Sequence, residues 1–160
     1  MTYILNLRVY GILVTSENKV LVSDELIRGE RYTKFPGGGL MPGEGTRDCL
    51  KREFMEEMNL EIEVGDHLYT TDYFQPSAFH ANHQIISIYY RVHPLASFDH
   101  LLKTVPFDFS EKALDTYKAT GETESFRLIN WEDFSEDCVT LPIDKIVSRM
   151  IKEYPILNRE

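Results

Sequence analysis

The stretch GGLMPGEGTRDCLKREFMEEMNL, residues 38–60, decides how this chain is read. Glu53, Glu56 and Glu57 stand at i, i+3 and i+4, a spacing that places all three on one face of a helix. Like charges four residues apart cost a helix stability, so Glu53 with Glu57 is a local penalty, and the adjacent pair Glu56–Glu57 adds to the crowding. A group of carboxylates that repels itself needs a cation, and hard divalent ions take oxygen ligands. Thr46 is the expected N-cap of this helix. Leu50, Phe54 and Met58 form an apolar stripe beside the acidic face. Cys49 projects near the middle of that face. It reads either as a soft ligand or redox switch, or as a small residue that allows close packing, and packing is the commoner fate.

The order of the residues is as informative as their charge. Gly38 is followed by five residues, Glu44, seven more, then Arg52, Glu53, an apolar Phe54, and later Glu56, Glu57, Asn59 and the apolar Leu60. At average residue usage, the six glycine and charged positions would coincide by chance with a probability on the order of 10⁻⁷ per window. The stretch resembles the Nudix box, G-x5-E-x7-R-E-U-x-E-E-x-G-U with U apolar, over its whole length. The one departure is Asn59 where the family has glycine. That position ends the helix and is expected to be left-handed, a conformation asparagine tolerates.

Composition narrows the class. A length of 160 residues makes one domain, residues 1–160, the default. Seventeen basic against 26 acidic residues give a net charge of −9, which argues against a nucleic-acid backbone as partner. The same charge opposes an anionic substrate unless a bound metal offsets it locally. The two cysteines, Cys49 and Cys138, are too few for a disulfide scaffold and suit reduced thiols in a cytoplasm. The N-terminal segment lacks a basic leader and a cleavage site, and no apolar run is long enough for a membrane span.

Residues 4–15 read as a first strand and 19–24 as its return, joined by a turn at Ser16, Glu17 and Asn18. Residues 25–34 carry mixed charge and are expected to loop out, and the prolines and glycines of 35–39 to form a further loop. Residues 61–73, 84–92 and 126–131 read as strands. Between the first two lies a loop with His80 and His83. Residues 96–121 read as an insertion with a short helix near 110–118. Residues 142–154 form an amphipathic helix with Pro142 in its first turn and Ile143, Ile146, Val147, Met150 and Ile151 on one face. This order implies an α/β fold with a mixed sheet between helices, in agreement with the α/β/α sandwich of the Nudix family.

The resemblance further implies hydrolysis of a nucleoside diphosphate linked to another group, with Mg2+ as cofactor and Mn2+ able to substitute. It makes Glu56 and Glu57 metal ligands and Glu53 a ligand or the base that takes a proton from water. Arg52 orients Glu53, and Glu44 supports the loop–helix geometry or reaches metal through water. Gly37 offers a carbonyl ligand, and Gly38 lets backbone come close to the bound groups. Glu122, with Glu124 beside it, is the candidate for a further acidic ligand. Arg28, Arg31 and Lys34 are candidates to hold substrate phosphates, with a solvated loop at least as common a reading; His80 and His83 are candidates to contact substrate or act as a base, with plain exposure the commoner use. Tyr32, Tyr73, Phe74 and Phe79 are candidates to stack a base, with core packing the commoner use.

The box leaves the substrate open. Nucleoside triphosphates or similar nucleoside diphosphate derivatives lead. ADP-ribose or a nucleotide sugar comes second, on the weak resemblance of Pro76, 16 residues past Leu60, to the proline of ADP-ribose hydrolases. A non-catalytic nucleotide-sensing module is the third reading, and a homodimer is a candidate assembly.

Overall fold

The computed structural model describes residues 2–154. Its elements in chain order are β1 (Ile4–Ile12), β2 (Lys19–Ile27), β3 (Glu30–Lys34), β4 (Gly37–Gly39), α1 (Thr46–Met58), β5 (Ile62–Thr70), β6 (His83–Pro94), β7 (Leu102–Lys103), α2 (Glu111–Thr120), β8 (Glu122–Asn130) and α3 (Pro142–Glu153). Within the described residues the chain divides into two compact units, one from 2–12 with Gly37–Ala96, the other from Leu13–Pro36 with 97–154. Each holds one mixed four-stranded sheet.

In the first unit the strand order is β4-β1-β6-β5. β1 runs parallel to β6 along its length and antiparallel to β4 over Arg8, Val9 and Tyr10. β5 is antiparallel to β6, with register shifts between Val64 and Tyr69. α1 packs on β1, β4 and β5. Its stripe of Leu50, Phe54 and Met58 is buried, as the i, i+4, i+8 spacing along one face implies. A Cβ on Gly11 of β1 would lie 2.9 Å from the Phe54 ring, so a bare strand position makes room for the largest side chain of the helix. α1 closes at Asn59, which takes φ 49° and ψ 39°, the left-handed conformation expected there. Its amide donates to the Met55 carbonyl and that of Leu60 to Phe54, which carries buried Leu60 into the core.

In the second unit the order is β3-β2-β8-β7, with β7 parallel to β8 and the other pairs antiparallel. Val20, Val22, Phe35 and Phe134 are buried, with the Phe35 and Phe134 rings 6.0 Å apart. α2 packs on β8, and α3 on a 3-10 turn at Glu136–Cys138. Ile143, Val147 and Ile151 of α3 are buried, and Ile146 and Met150 partly so. Asp24 is fully buried; Arg127 grips it with Nε at 2.6 Å and Nη2 at 3.2 Å, and Thr33 donates its hydroxyl at 2.7 Å. A buried carboxylate is tolerable only when so matched.

The α/β class holds, with the strands divided between two mixed sheets. Several expectations change. β1 ends at Ile12 and does not pair with β2 along its length; only the segment after it does, through Leu13 and the Val14–Val20 bridge. Residues 25–34 are a hairpin, not a loop. Arg28 (φ 48°) and Gly29 (φ 86°) both take the left-handed conformation that a two-residue hairpin turn requires. The mixed charge is used in cross-strand pairing, with Lys34 3.1 Å from Glu25. Residues 37–39 form β4, because β1 offers them a ladder. Gly45, not Thr46, caps α1, since the Thr46 hydroxyl is engaged with Tyr90 Oη at 2.7 Å. The 96–121 segment contributes β7 to the sheet as well as α2. That helix is capped by Ser110, whose hydroxyl accepts from the Ala113 amide, and it ends at Gly121. Among the described residues no helix is long and apolar enough to cross a membrane.

Candidate active site

All of the charged residues of the motif lie in the first unit, and Arg52 is their hub. Its Nε donates to Glu44 Oε2 at 3.0 Å and its Nη2 to Glu44 Oε1 at 2.7 Å. Nη2 also donates to the Gly39 carbonyl at 3.0 Å. Nη1 donates to Glu53 Oε1 at 3.0 Å and to Glu56 Oε2 at 3.2 Å. These contacts engage all five N–H groups of the guanidinium, a fork that lysine cannot reproduce. The helix sets the spacing: Arg52 and Glu56 are one turn apart on the same face.

The carboxylates are not used alike. Glu44 has both oxygens taken, since the Met41 amide also donates to Oε1 at 2.8 Å. Arg52 first, and the Met41 amide second, hold the Glu44 carboxyl at about 2, well below its ordinary 4.5. Glu53 and Glu56 each give Arg52 a single oxygen. Arg52 itself is pushed above its already high range, chiefly by Glu44. One guanidinium faces Glu44, Glu53 and Glu56, so the group keeps an excess of negative charge.

Glycines shape the floor. A Cβ on Gly38 would fall on the Glu53 carboxylate, and one on Gly37 (φ 151°) on the Val9 carbonyl. β4 therefore brings bare backbone against both. Cys49 is fully buried, its thiol donating to the Gly39 carbonyl at 3.5 Å. Burial first, and the Glu44 carboxylate second, push this thiol up to about 12. That suits the packing reading and leaves it a poor soft ligand or redox switch.

Three residues of this neighbourhood carried no recognisable sign in the sequence: Gly39 and Met41, which act through backbone, and Tyr90, which receives Thr46. Arg47 did carry one. A cation in the first turn of a helix opposes the dipole, and Arg47 is held there by the Val64 and Gly65 carbonyls at 2.8 Å each and by the Tyr90 ring at 4.8 Å.

The other candidates have their own places. Glu57 is half-buried on α1. His80 is exposed in its loop, its ring 5.1 Å from that of His83. Tyr73 and Phe74 are exposed, and Phe79 is half-buried. In the second unit, Arg28 is an exposed turn residue whose amide donates to the Gly121 carbonyl. Arg31 lies over the Phe107 ring at 5.2 Å. Lys34 is buried and paired with Glu25 rather than solvated. Glu122 and Glu124 belong to β8 itself, opposite Ile27 and Glu25, not to a loop before it. Ser23 donates to Glu124 at 3.4 Å.

The donor set fits a hard divalent cation. Carboxylates and carbonyls make up the oxygen donors around Arg52, with the Cys49 Sγ at 3.7 Å beside them, and Glu56 is 58% exposed. Among the described residues no three acidic, histidine or cysteine side chains close on one point. Magnesium does not need such a cage, because it takes one or two carboxylates and fills its shell with water and substrate phosphate oxygens.

The NUDIX domain family matches residues 5–150, so the chain belongs to the Nudix family, whose members generally use divalent metal ions. Fold and family together make it a Nudix pyrophosphohydrolase. Among solved structures it is similar to the MutT protein from Methanosarcina mazei Go1, with TM-score 0.65 and 14% identity, covering 100% of this chain and 99% of that one. It is also similar to the E. coli ORF135 protein, with TM-score 0.63 and 15% identity over 96% and 94% of the two chains. A NUDIX hydrolase from Nitrosomonas europaea gives TM-score 0.60 and 17% identity over 98% and 97%. No curated protein matches the chain.

Proposed function

We propose that this protein hydrolyses the diphosphate linkage of a nucleoside diphosphate derivative, a nucleoside triphosphate first, in a reaction that depends on Mg2+ or Mn2+. The observation that carries this is the unequal use of the carboxylates by Arg52. Glu44 is consumed in fixing the arginine, whereas Glu53 and Glu56 each retain an oxygen that Arg52 leaves free for another partner.

Glu56 and Glu57 would hold the ion, with Glu53 and the Gly37 carbonyl as further donors. When bound, the ion neutralises phosphate charge and lowers the pKa of its water. Glu53, seated over Gly38 and oriented by Arg52, takes the proton from the attacking water or joins the donors. Glu44 positions Arg52 and touches nothing that reacts. His80 supplies an exposed donor for the substrate. The family match across both units supports reading 1–160 as one domain. The free thiols Cys49 and Cys138 suit a cytoplasmic location.

The test is a panel of nucleoside triphosphates, ADP-ribose and nucleotide sugars, with magnesium or with chelator, scored by phosphate or pyrophosphate released. Glu57→Gln should abolish magnesium-dependent turnover with the fold intact; near wild-type turnover defeats the assignment. Tight nucleotide binding without release on any substrate would instead favour the sensing module.

A further inference from the structure

β5 is the last strand of its sheet, so on one side it meets no other strand of that sheet. Two hydrogen bonds fix which backbone groups face that side. The Glu61 carbonyl accepts from the Leu95 amide at 2.9 Å, so Glu61 points inward, to the end of β6. By alternation the N–H and C=O of Ile62 and Val64 point outward. The Val64 carbonyl agrees, accepting from Arg47 Nη1 of α1 at 2.8 Å. Among the described residues, nothing is bonded to the outward N–H and C=O of Ile62.

A groove of about 470 Å³ runs beside this margin, wholly within the first unit. Lys51 and Met55 line it from α1, Glu61, Ile62 and Glu63 from the start of β5, and Leu95 from the end of β6. Met55 is 44% exposed and Leu95 56%, so the apolar lining is open to solvent. At about 100° per residue, Lys51 and Met55 lie across the helix from Glu53 and Glu57. The groove is therefore separate from the candidate active site. Lys51, Glu61 and Glu63 are exposed, and none has an ion pair or a side-chain hydrogen bond among the described residues. Val92, opposite Val64, would meet a Cβ on Gly11 together with the Phe54 ring, so it faces α1. Ile62, two residues from Val64, shares that face, and Glu61 and Glu63 share the other.

We propose that this margin takes an extended segment of another protein as a short added strand, and that it selects a basic–apolar–basic sequence. A residue seated opposite Ile62 exchanges two backbone hydrogen bonds with it. Its neighbours then stand opposite Glu61 and Glu63. Side chains opposite one another share a face, so the neighbours meet the two carboxylates and are favoured as cations. The middle side chain turns to the face of Ile62 and α1, where Met55 offers apolar contact and Lys51 repels a third cation. Arg47, bonded to the Val64 and Gly65 carbonyls, ends the ladder, so three residues are selected. No two lysines or arginines of this chain stand two positions apart, so the occupant is a different protein and not a second copy.

The probe is a blocked peptide, Thr-Lys-Val-Lys-Thr, titrated into the isotopically labelled full chain and followed by two-dimensional amide NMR. It should shift the Ile62, Glu63 and Met55 amides and leave turnover unchanged. Three comparisons separate a seated strand from plain attraction to a chain of charge −9. The order Thr-Lys-Lys-Val-Thr keeps the composition and loses the alternation. Methylation of the valine amide keeps the charge and removes the N–H given to Ile62. Glu61→Gln with Glu63→Gln removes the two carboxylates at exposed positions outside the candidate active site. Each should weaken binding by about tenfold, the size of one lost hydrogen bond or charge pair. Equal binding in any of the three, shifts that miss Ile62, or no shift at about 1 mM of the first peptide would overturn the proposal.

Discussion

Arg52 and Glu44 form a two-pronged pair, Nε to one oxygen at 3.0 Å and Nη2 to the other at 2.7 Å. The pair locks the loop before α1 to the helix itself. Arg52→Lys keeps the charge and loses the fork, so Glu44, Glu53, Glu56 and the Gly39 carbonyl can no longer be held together. We expect kcat to fall by at least about tenfold with KM changed less, because orientation rather than binding is lost. Steady-state kinetics on the best substrate of the panel measure this, and an unchanged kcat would show that the fork has no part in turnover.

The same pair makes stability depend on acid. Glu44 is held at about 2 against an ordinary 4.5. A carboxylate whose folded pKa is depressed contributes stability that is complete above its unfolded pKa and lost as pH falls through the folded one. The loss should run from about pH 4.5 down towards 2. Urea midpoints of wild type and Glu44→Gln, taken from pH 2 to 6, should converge as the pH drops. Parallel curves would mean that Glu44 is not the group responsible.

Gly38 has no room for a side chain. Gly38→Ala sets a methyl on the Glu53 carboxylate, which must move away from Arg52 Nη1. A displacement of this order costs about 10²-fold in rate. We expect that loss in kcat/KM with α1 still folded by circular dichroism. Retention of full activity would remove Glu53 from the reacting groups.

Cys49 should be inert. With its thiol pushed up to about 12 from 9.0, its thiolate fraction at pH 8 is about 10³-fold lower than that of an ordinary cysteine. Iodoacetamide at pH 8 should label Cys138 in the folded protein and Cys49 only in denaturant, as read by peptide mass. The raised pKa also means that its contribution to stability is intact below pH 9 and fades as the pH rises towards 12. Rapid labelling of folded Cys49 would contradict its burial.

How much of this was legible is best seen position by position. The face shared by Glu53, Glu56 and Glu57, the buried stripe of Leu50, Phe54 and Met58, and the left-handed Asn59 all follow from local spacing and local backbone preference. Those are properties a sequence carries on its surface. β4 was not legible, because three glycines beside a proline break regular structure until a partner strand supplies a ladder; Arg8, Val9 and Tyr10 do so from about thirty positions away. The β2–β3 hairpin was hidden by its charges. Glu25 and Lys34 look like solvated loop residues until the turn at Arg28 and Gly29 brings them face to face. The cap at Gly45 was missed because Thr46 found a better partner in Tyr90, a choice made by packing.

β4 is a strand with no side chains at all. Two of its three positions abut other groups so closely that any replacement adds atoms where none fit. A wall of this kind cannot be tuned by substitution. If this scaffold is to be turned towards a different substrate, by selection or by an engineer, the alterable surface lies in segments that end in solvent, such as the loop holding His80.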